Sequence, residues 1–249
     1  MDNNLPIVFT SCDLLYFYRF AESFVKSASS SGHEVKIIVT TDDKLYDIKP
    51  YIELKTRLET IDGVSIDIMS NDAYSNLKRQ FNVDDVKSFY ASLRFIILYE
   101  MLLNVSANRP NRDFVVLDID SIINKAIQPI QNDVGLFFRE PKDFANEYEK
   151  IGMMIAAGIV YVKNSSLGRK FAYNLLEEIY ILRIRWFSDQ VALYKNFLRM
   201  KNEIKFHAYD QKTLDWDFDD ESVIWSAKGE RKNTNDKYLK KKAEIENGI

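Results

Sequence analysis

The acidic pair Asp118 and Asp120 directly follows the apolar run FVVL at 114–117. Two carboxylates at positions i and i+2, where a buried strand gives way to a loop, can turn toward one point. Hard divalent cations such as Mg²⁺ and Mn²⁺ prefer oxygen ligands of this kind. Aspartate is also common in solvated turns, so the tripeptide alone leaves both interpretations open. Its position at the end of a buried strand favours a metal site.

Basic side chains form a second chemical group in the late segment AKGERK, which contains Lys228, Arg231 and Lys232. Clustered cations can neutralise a diphosphate, although such a run is also typical of a solvated surface loop. Arg94 lies at the edge of the apolar stripe of a predicted helix, where an arginine can simply extend its charge into solvent. Binding and surface interpretations therefore both remain open for these residues.

A third group, Asp189 and Gln190, follows Ser188. Serine is a favoured N-cap residue, and an acidic side chain in the first turn interacts favourably with the helix dipole. The sequence predicts Ser188 as the N-cap of the helix that starts here. Capping alone would be enough to explain Asp189.

The elements that must position these groups alternate along the chain. Apolar runs at 6–10 and 35–43 predict buried strands, and an apolar stripe at helical spacing over 17–28 predicts a helix between them. Such a βαβ unit requires a parallel sheet. The remaining predicted elements are strands at 114–117, 134–138, 158–162, 204–209 and 223–227 and helices over 88–104, 167–185 and 189–200.

Polar residues occur where several of these strands end. They are the segment 10–13, Asp42 with Asp43, and the segment 118–120. Because ligands of open α/β sheets bind outside the carboxyl ends of the strands, these clusters predict a binding site at one edge of the sheet.

Composition limits the classes of function. The 249 residues are 46% hydrophobic and 13% aromatic, which is typical of one packed domain and not of a disordered chain. A net charge of -3 disfavours nucleic acid as a partner. The single cysteine, Cys12, excludes an internal disulfide framework and indicates a reducing compartment. No histidine is near it in sequence, so a thiol nucleophile is not expected.

The chain has neither a run of 18 apolar residues nor an N-terminal signal-peptide pattern. We therefore expect a soluble, cytoplasmic protein. The basic tail at 233–249 predicts at most a weak contact with a membrane surface.

Six segments carry a resemblance to a known family. VVLDIDSII resembles the DxD element of the nucleotide-sugar glycosyltransferases with the GT-A fold, and TSCDLLY resembles the first strand and loop of glycosyltransferase family 8 and its relatives. FYASLRF, AAGIVYV, WFSDQVAL and AKGERK resemble further family segments in the same order, so the similarity extends over roughly 7–232.

The resemblance implies an α/β, GT-A-like single domain over 1–232 with a mostly parallel sheet flanked by helices. The nucleotide-binding half would cover about 1–120 and the acceptor half about 121–232, before the tail at 233–249. Asp13 and Tyr16 would hold the nucleobase.

The family positions also imply a set of site residues. The implied nucleotide-sugar-binding residues are Thr10, Asp13, Tyr16, Arg94, Asp118, Ala157, Gly158, Lys228, Gly229 and Lys232, the metal ligands are Asp118 and Asp120, and the catalytic pair is Asp189 and Gln190. Many relatives have a metal-binding histidine three residues before the late glycine, where this chain has Ser226.

The implied function is metal-dependent transfer of a sugar, with Mn²⁺ or Mg²⁺, from a nucleotide diphosphate donor. A UDP-sugar is favoured as the donor, and retention of anomeric configuration is favoured by Asp189 and Gln190. The acceptor would be a hydroxyl group of a glycan, a lipid-linked molecule or a protein. Two alternatives remain: a non-catalytic sugar-nucleotide or glycan-binding module, suggested by Ser226, and a sugar-nucleotidyltransferase, disfavoured because TSCDLLY lacks a glycine-rich phosphate loop.

Overall fold

The computed structural model describes most of the chain. The described residues are 5–40, 49–81, 83, 86–108, 112–139, 154–185 and 187–248. Asp42 and Asp43, the acidic pair predicted to follow the second strand, lie outside them.

The described residues form one main sheet of seven strands in the order β3-β2-β1-β4-β7-β6-β8. Four of its six pairings are parallel, and the two antiparallel pairings are those that β7 makes with β4 and β6. This confirms the predicted fold class, an α/β domain with a mostly parallel sheet. The strands are β1 (Ile7–Asp13), β2 (Val35–Thr40), β3 (Val64–Met69), β4 (Phe114–Leu117), β6 (Val134–Phe138), β7 (Ile155–Val162) and β8 (Phe206–Tyr209).

Helices cover both faces of this sheet. Successive strand residues point to opposite faces, so Val8 of β1 packs in one core cluster and Phe9 in the other. The helices of the described residues are α1 (Leu14–Ser30), α2 (Lys49–Leu58), α3 (Asn71–Gln80), α4 (Val86–Asn108), α5 (Ser166–Leu182), α6 (Ser188–Met200), α7 (Arg231–Thr234) and α8 (Asp236–Asn247). No helix among the described residues combines the length and the apolar character needed to cross a bilayer.

A small second sheet joins the middle of the chain to its end. It consists of β5 (Ser121–Ile123), β10 (Ile224–Ser226) and β9 (Leu214–Asp215), with β10 in the centre. The strand predicted at 223–227 is therefore observed as β10, but outside the main sheet. Because β5 begins directly after Asp120, this small sheet fixes the residues that follow the acidic pair.

The last helix packs on the first. Tyr238 of α8 is fully buried, and its Oη donates to the backbone oxygen of Asp120 at 2.8 Å. The Lys26 ammonium of α1 donates to the backbone oxygen of Glu246 at 2.5 Å. The basic tail thus contributes an ordered helix next to the acidic pair.

Candidate functional site

The site begins at the carboxyl end of β1, where the chain passes directly into α1. Asp13 is the N-cap of this helix, and its Oδ1 accepts a hydrogen bond from the Tyr16 backbone N–H at 2.7 Å. The Tyr16 ring packs against Phe20 one turn later, with 5.4 Å between ring centroids. The two residues predicted to hold a nucleobase therefore lie on the first turn of one helix, and capping determines the position of Asp13.

Arg94 of α4 connects three parts of the site. Its side chain is buried, and one guanidinium nitrogen donates to the Leu117 backbone oxygen at 3.2 Å and to the Asp118 carboxylate. The other donates to the Ala157 backbone oxygen at 3.1 Å and lies 3.7 Å from the Asp189 carboxylate. Arg94 does not extend into solvent, so the binding interpretation of this residue fits its geometry better than the surface one. The planar guanidinium donates in several directions, which suits it to join these groups.

Lys232 of α7 neutralises the second carboxylate of the acidic pair. Its Nζ lies 2.6 Å from Asp120 Oδ2 and 4.7 Å from the centroid of the Tyr16 ring. Lysine and aspartate are separated by 112 positions in the chain, and α7 brings them together.

The pKa of the Asp120 carboxyl is raised by burial and by the nearby charge of Asp118, and Lys232 and Arg94 oppose this shift. Burial lowers the pKa of Lys232, but the charge of Asp120 and the hydrogen bond to it outweigh burial and raise the pKa above its ordinary value. Lys232 and Arg94 therefore favour the ionised form of Asp120.

Gly158 of β7 faces the acidic pair at close range. A Cβ atom at this position would lie 3.2 Å from Leu214 Cδ2, 3.4 Å from Asp118 Oδ2 and 3.8 Å from Ser226 Oγ. Any larger residue would fill the space beside these oxygens. Ser226 Oγ therefore borders the same space in front of Gly158 as Asp118 Oδ2, although a serine hydroxyl is a weak metal ligand.

The donor set suits a hard divalent cation that brings ligands of its own. Asp118 and Asp120 offer carboxylate oxygens, and Gly158 leaves space beside them. The described part of the chain contains no cluster of three or more His, Cys, Asp or Glu side chains that could hold a metal ion by itself. Mg²⁺ sites commonly combine one or two carboxylates with phosphate oxygens of a substrate. The residues present therefore fit a cation bound together with a diphosphate.

The N-terminus of α6 differs from the prediction in its cap. The helix begins at Ser188, so the cap residue is Phe187, which has a left-handed φ of 66° and makes no side-chain cap hydrogen bond. The predicted N-cap, Ser188, is therefore wrong by one position. Its Oγ accepts instead from the Arg185 backbone N–H at 3.3 Å. This hydrogen bond fixes the loop before α6 to the first residue of the helix. It thereby fixes the positions of Asp189 and Gln190, which follow.

Asp189 is anchored at the start of α6. Its Oδ1 accepts from the Gln190 backbone N–H at 2.8 Å, and the side chain is almost completely buried. Burial raises the pKa of the Asp189 carboxyl, and Arg94 opposes this shift. Asp189 is held in a fixed position and has little exposure to solvent.

Sequence reasoning missed Arg139, which directly follows β6. Its buried guanidinium donates to the Gln190 side-chain oxygen. Arginine can only donate, so this contact assigns the oxygen of the Gln190 amide to Arg139 and leaves the NH₂ group to face other partners. The available signal was a charged residue directly after an apolar strand, the same signal that marked Asp118.

The segment AKGERK divides into separate contacts. Lys228 lies over the Trp216 ring at 4.4 Å, and Arg231 donates to the Trp216 backbone oxygen at 2.6 Å. Gly229 lies between Lys228 and Arg231 and has a φ of +64°, a backbone conformation that favours glycine. A Cβ atom at this position would meet no other atom within 4 Å. Lys232 of this segment contacts Asp120 of the acidic pair.

Thr10 and Cys12 lie within β1 instead of at the surface of the site. Thr10 is fully buried, and its Oγ1 has no hydrogen-bond partner among the described residues. Cys12 is also buried, and burial raises the pKa of its thiol well above the ordinary value. Of the remaining predicted residues, those that lie around Asp118 and Asp120 are Tyr16, Arg94, Ala157, Gly158, Asp189 and Lys232. Asp13 caps the helical turn that contains Tyr16, Gln190 follows Asp189, and Lys228 and Gly229 lie on the adjoining loop.

Comparisons with known proteins identify the fold. No protein-family model matches the sequence, and a search of curated protein sequences gives no match. Among solved structures, the chain is similar to the apo form of the bifunctional glycosyltransferase WbbM, with a TM-score of 0.61 and 13% identity over 98% of this chain and 50% of that one. It is also similar to the glycosyltransferase GlyE of Streptococcus pneumoniae TIGR4, with a TM-score of 0.55 and 13% identity over 99% of this chain and 63% of that one.

The chain thus spans about half to two thirds of the length of these two proteins. At 13% identity the likeness extends to the fold and not to individual residues. The architecture described above is one that known glycosyltransferases have.

Proposed function

We propose that this chain transfers a sugar from a nucleotide diphosphate donor, with a UDP-sugar favoured, to a hydroxyl acceptor. The observation that carries the proposal is the cluster in which Arg94 binds Asp118 and Lys232 binds Asp120. It lies at the carboxyl end of β1 and β4, the edge at which α/β sheets bind ligands. The fold shared with two glycosyltransferases adds support, as does the resemblance to the GT-A enzymes of family 8.

Donor binding follows from three groups. Tyr16, whose ring faces Lys232, offers an aromatic surface for the nucleobase, and Asp13 lies on the same helical turn. Lys232 and Lys228 offer ammonium groups to the diphosphate, and the turn at Gly229 lets the loop approach it closely. Asp118 and Asp120 would hold Mn²⁺ or Mg²⁺, which when bound supplies positive charge for the leaving diphosphate.

In the reaction, the bond from the anomeric carbon to the donor phosphate oxygen breaks, and its electron pair stays on the diphosphate. The acceptor hydroxyl oxygen forms the new bond to the anomeric carbon, and its proton passes to the oxygen of the leaving diphosphate. Lys232 stabilises the charge that develops on the leaving group, and Arg94 holds Asp118 and Asp189 in their relative positions.

Asp189 and Gln190 orient the donor sugar. Both Asp189 oxygens face donors of this chain, and Arg139 holds the Gln190 oxygen, so Gln190 presents its NH₂ group to a sugar oxygen. Because both Asp189 oxygens already have donors of this chain as neighbours, we assign Asp189 a positioning role, in line with the retaining outcome that the family resemblance implies.

A non-catalytic sugar-nucleotide-binding module is the second candidate. The observation that favours it is Ser226 beside Asp118, where many relatives have a metal-binding histidine. Such a module would bind a nucleotide diphosphate in the same cleft without cleaving a donor sugar. Detectable hydrolysis of a sugar nucleotide would exclude this candidate.

Partners other than the donor belong to the same proposal. The acceptor is a glycan, lipid-linked or protein hydroxyl, nucleic acid is not a partner, and the site of action is the cytoplasm. In the tail, Lys237 and Lys242 are paired with Asp220 and Glu246, so part of the basic charge of α8 is neutralised within the chain. Co-sedimentation with phosphatidylserine vesicles at physiological salt tests this contact, and we expect weak binding at most.

The first test is a thermal-shift panel. UDP, GDP, CDP, ADP and TDP are each added with and without Mn²⁺ to the wild type and to an Asp118→Ala/Asp120→Ala variant. A ligand that binds only the folded state raises the melting temperature by mass action. We expect UDP with Mn²⁺ to stabilise the wild type and not the variant. No shift with any nucleotide would contradict the proposal.

A further inference from the structure

Lys232 occupies an unusual position between the aromatic and the acidic parts of the site. Its ammonium lies 2.6 Å from Asp120 Oδ2, 4.7 Å from the Tyr16 ring centroid and 6.0 Å from that of Phe20. The side chain is only 15% exposed. The ammonium is thus placed where a cation held by Asp120 would have to be.

The chain on both sides of Lys232 is fixed by contacts that do not involve its ammonium. Asn233 accepts from Arg19 of α1 at 2.5 Å, and Tyr238 donates to the Asp120 backbone oxygen at 2.8 Å. The first contact fixes α7 to α1, and the second fixes α8 to the residue that precedes β5. The Lys232 side chain can therefore leave the carboxylate while its backbone stays in place, because its four-carbon stem is flexible.

We propose that Lys232 is a displaceable resident cation of the acidic pair. In the free protein its ammonium neutralises Asp120. When a divalent cation binds, Lys232 leaves Asp120, and when a diphosphate also binds, the released ammonium donates to its oxygens, so one side chain serves both states. This inference rests on the proposed function, since it assigns a second state to a residue of the same site.

Two physical reasons support displacement over simple coexistence. A carboxylate oxygen that accepts from an ammonium at 2.6 Å cannot also coordinate a metal along the same direction, and two cations at that distance repel one another. Asp120 is buried, so solvent provides little screening of this repulsion. By contrast, the partner of Asp118 is Arg94, which is also held by Leu117 and Ala157 and has no comparable freedom to leave.

The inference predicts opposite effects of one substitution on two ligands. Removing the ammonium from position 232 removes a competitor of the metal, so the affinity for the metal alone should rise. The same change removes a diphosphate contact, so the affinity for a nucleotide in the presence of metal should fall. A lysine that only holds the fold together would lower both affinities.

The test is a calorimetric titration with Mn²⁺ alone of the wild type, Lys232→Met, Lys232→Arg and the matched control Lys237→Met, whose lysine pairs with Asp220 away from the site. We expect Lys232→Met to bind Mn²⁺ about tenfold more tightly than the wild type, the scale on which groups next to a metal ligand act. Lys232→Arg, which keeps a cation at Asp120, and Lys237→Met should match the wild type. Unchanged or weaker Mn²⁺ binding by a folded Lys232→Met would overturn the inference.

A second measurement uses the wild-type protein and does not depend on folding of a variant. The rate of lysine acylation is followed by mass spectrometry with and without Mn²⁺ at a concentration that completes the titration. We expect Mn²⁺ alone to accelerate the acylation of Lys232 and to leave that of Lys237 unchanged. An unchanged rate at Lys232 would contradict displacement. Both experiments omit nucleotide, so a failure of the proposed function, seen as no UDP binding, is distinguishable from a failure of this inference.

Discussion

The polar groups at the two ends of the main sheet differ in how completely they are paired within the chain. At the amino end, the His33 ring is fully buried, its Nδ1 donates to the Pro6 backbone oxygen, and its Nε2 accepts from the Ile127 N–H, both at 2.9 Å. At the carboxyl end, Asp118, Asp120 and Asp189 share two cations, Arg94 and Lys232. The amino end is complete in itself, whereas at the carboxyl end these three carboxylates outnumber the two cations that pair with them.

This difference separates stability from binding. A buried imidazole with both nitrogens satisfied needs no ligand and fixes the loop before β6 to the start of β1. A partly buried cluster in which three carboxylates share two cations is stabilised in its ionised form by an added cation. Variants at the amino end should therefore change folding alone, and variants at the carboxyl end should change ligand binding as well.

The largest expected effect is that of Arg94→Met. It leaves Asp118 and Asp189 without their shared partner, and breaking a buried ion pair in this way costs about 3 kcal/mol of unfolding free energy. UDP binding in the presence of Mn²⁺ should be lost. Urea denaturation and calorimetry measure the two effects. Arg199→Met, which removes an exposed ion pair with Glu177, serves as the control and should change neither. A fully stable Arg94→Met that binds UDP normally would refute the described role of Arg94.

The second effect is that of His33→Leu, at the opposite end of the sheet. It leaves the Pro6 oxygen and the Ile127 N–H unsatisfied, so the free energy of unfolding should fall by about 2 kcal/mol. UDP affinity of the folded protein should stay at the wild-type value, measured by calorimetry below the melting temperature. A selective loss of UDP affinity would mean that the two ends are not independent.

The pH dependence of stability tests the role of His33 at the amino end of the sheet in a second way. Burial lowers the pKa of His33, a hydrogen bond to Pro6 opposes the shift, and Arg112 adds to it. The unfolded chain therefore binds a proton more readily than the folded one. The contribution of neutral His33 is fully present above about pH 6.5 and is lost as the pH falls below that value. Urea denaturation from pH 8 to pH 5 should show a fall in stability in the wild type that is smaller in His33→Leu. Parallel curves would contradict this assignment.

A smaller effect is expected for Arg139→Met. Without the guanidinium, the Gln190 side chain loses its fixed orientation. We therefore expect the kcat for donor hydrolysis to fall about tenfold, which is a small part of the rate enhancement that correct positioning of reacting groups can provide. The KM for the donor should stay close to the wild-type value, because Arg139 holds Gln190, which is assigned to the donor sugar and not to the nucleotide. Arg139→Lys, which keeps a donor toward Gln190, should recover part of the lost rate. A change in KM alone would contradict a positioning role.

The smallest effect is expected at the surface. Arg57 forms two hydrogen bonds with Glu22 at 2.6 and 2.7 Å, but both side chains reach solvent. Arg57→Ala should lower the free energy of unfolding by less than about 1 kcal/mol, because exposed ion pairs contribute little. Urea denaturation at low and high salt checks this value, and a loss as large as that of Arg94→Met would remove the contrast between buried and exposed pairs.

Much of the fold could be predicted from apolar patterns. The strands at 114–117 and 134–138 are observed with the predicted bounds, and the helix predicted over 88–104 is observed as Val86–Asn108. Their signals are strong because these elements are buried. The pattern failed for β3, an edge strand with a single buried residue, and for α3, which is strongly polar. Neither element has the continuous apolar run by which a buried strand or helix is recognised.

The candidate site could be predicted only in part for the same physical reason. Asp118 and Asp120 are predicted from their position after a buried strand, and Asp189 is predicted from the family resemblance of the segment WFSDQVAL. The pairing of Lys232 with Asp120 spans 112 positions and depends on how α8 packs on α1, which no local pattern encodes. Arg139 acts through its contact with Gln190, and it belongs to no sequence motif with a recognisable spacing.

The decisive measurement is hydrolysis of UDP-sugars by the wild type and by Asp120→Asn, with Mn²⁺ and with EDTA. The substitution keeps the size of the side chain and a hydrogen-bond acceptor for Lys232 while removing the charge at the acidic pair. We predict Mn²⁺-dependent release of UDP from at least one donor sugar by the wild type, and its loss in a folded Asp120→Asn. Equal release by both proteins, or release that is unaffected by EDTA, would contradict the assignment of the acidic pair as the metal and donor site.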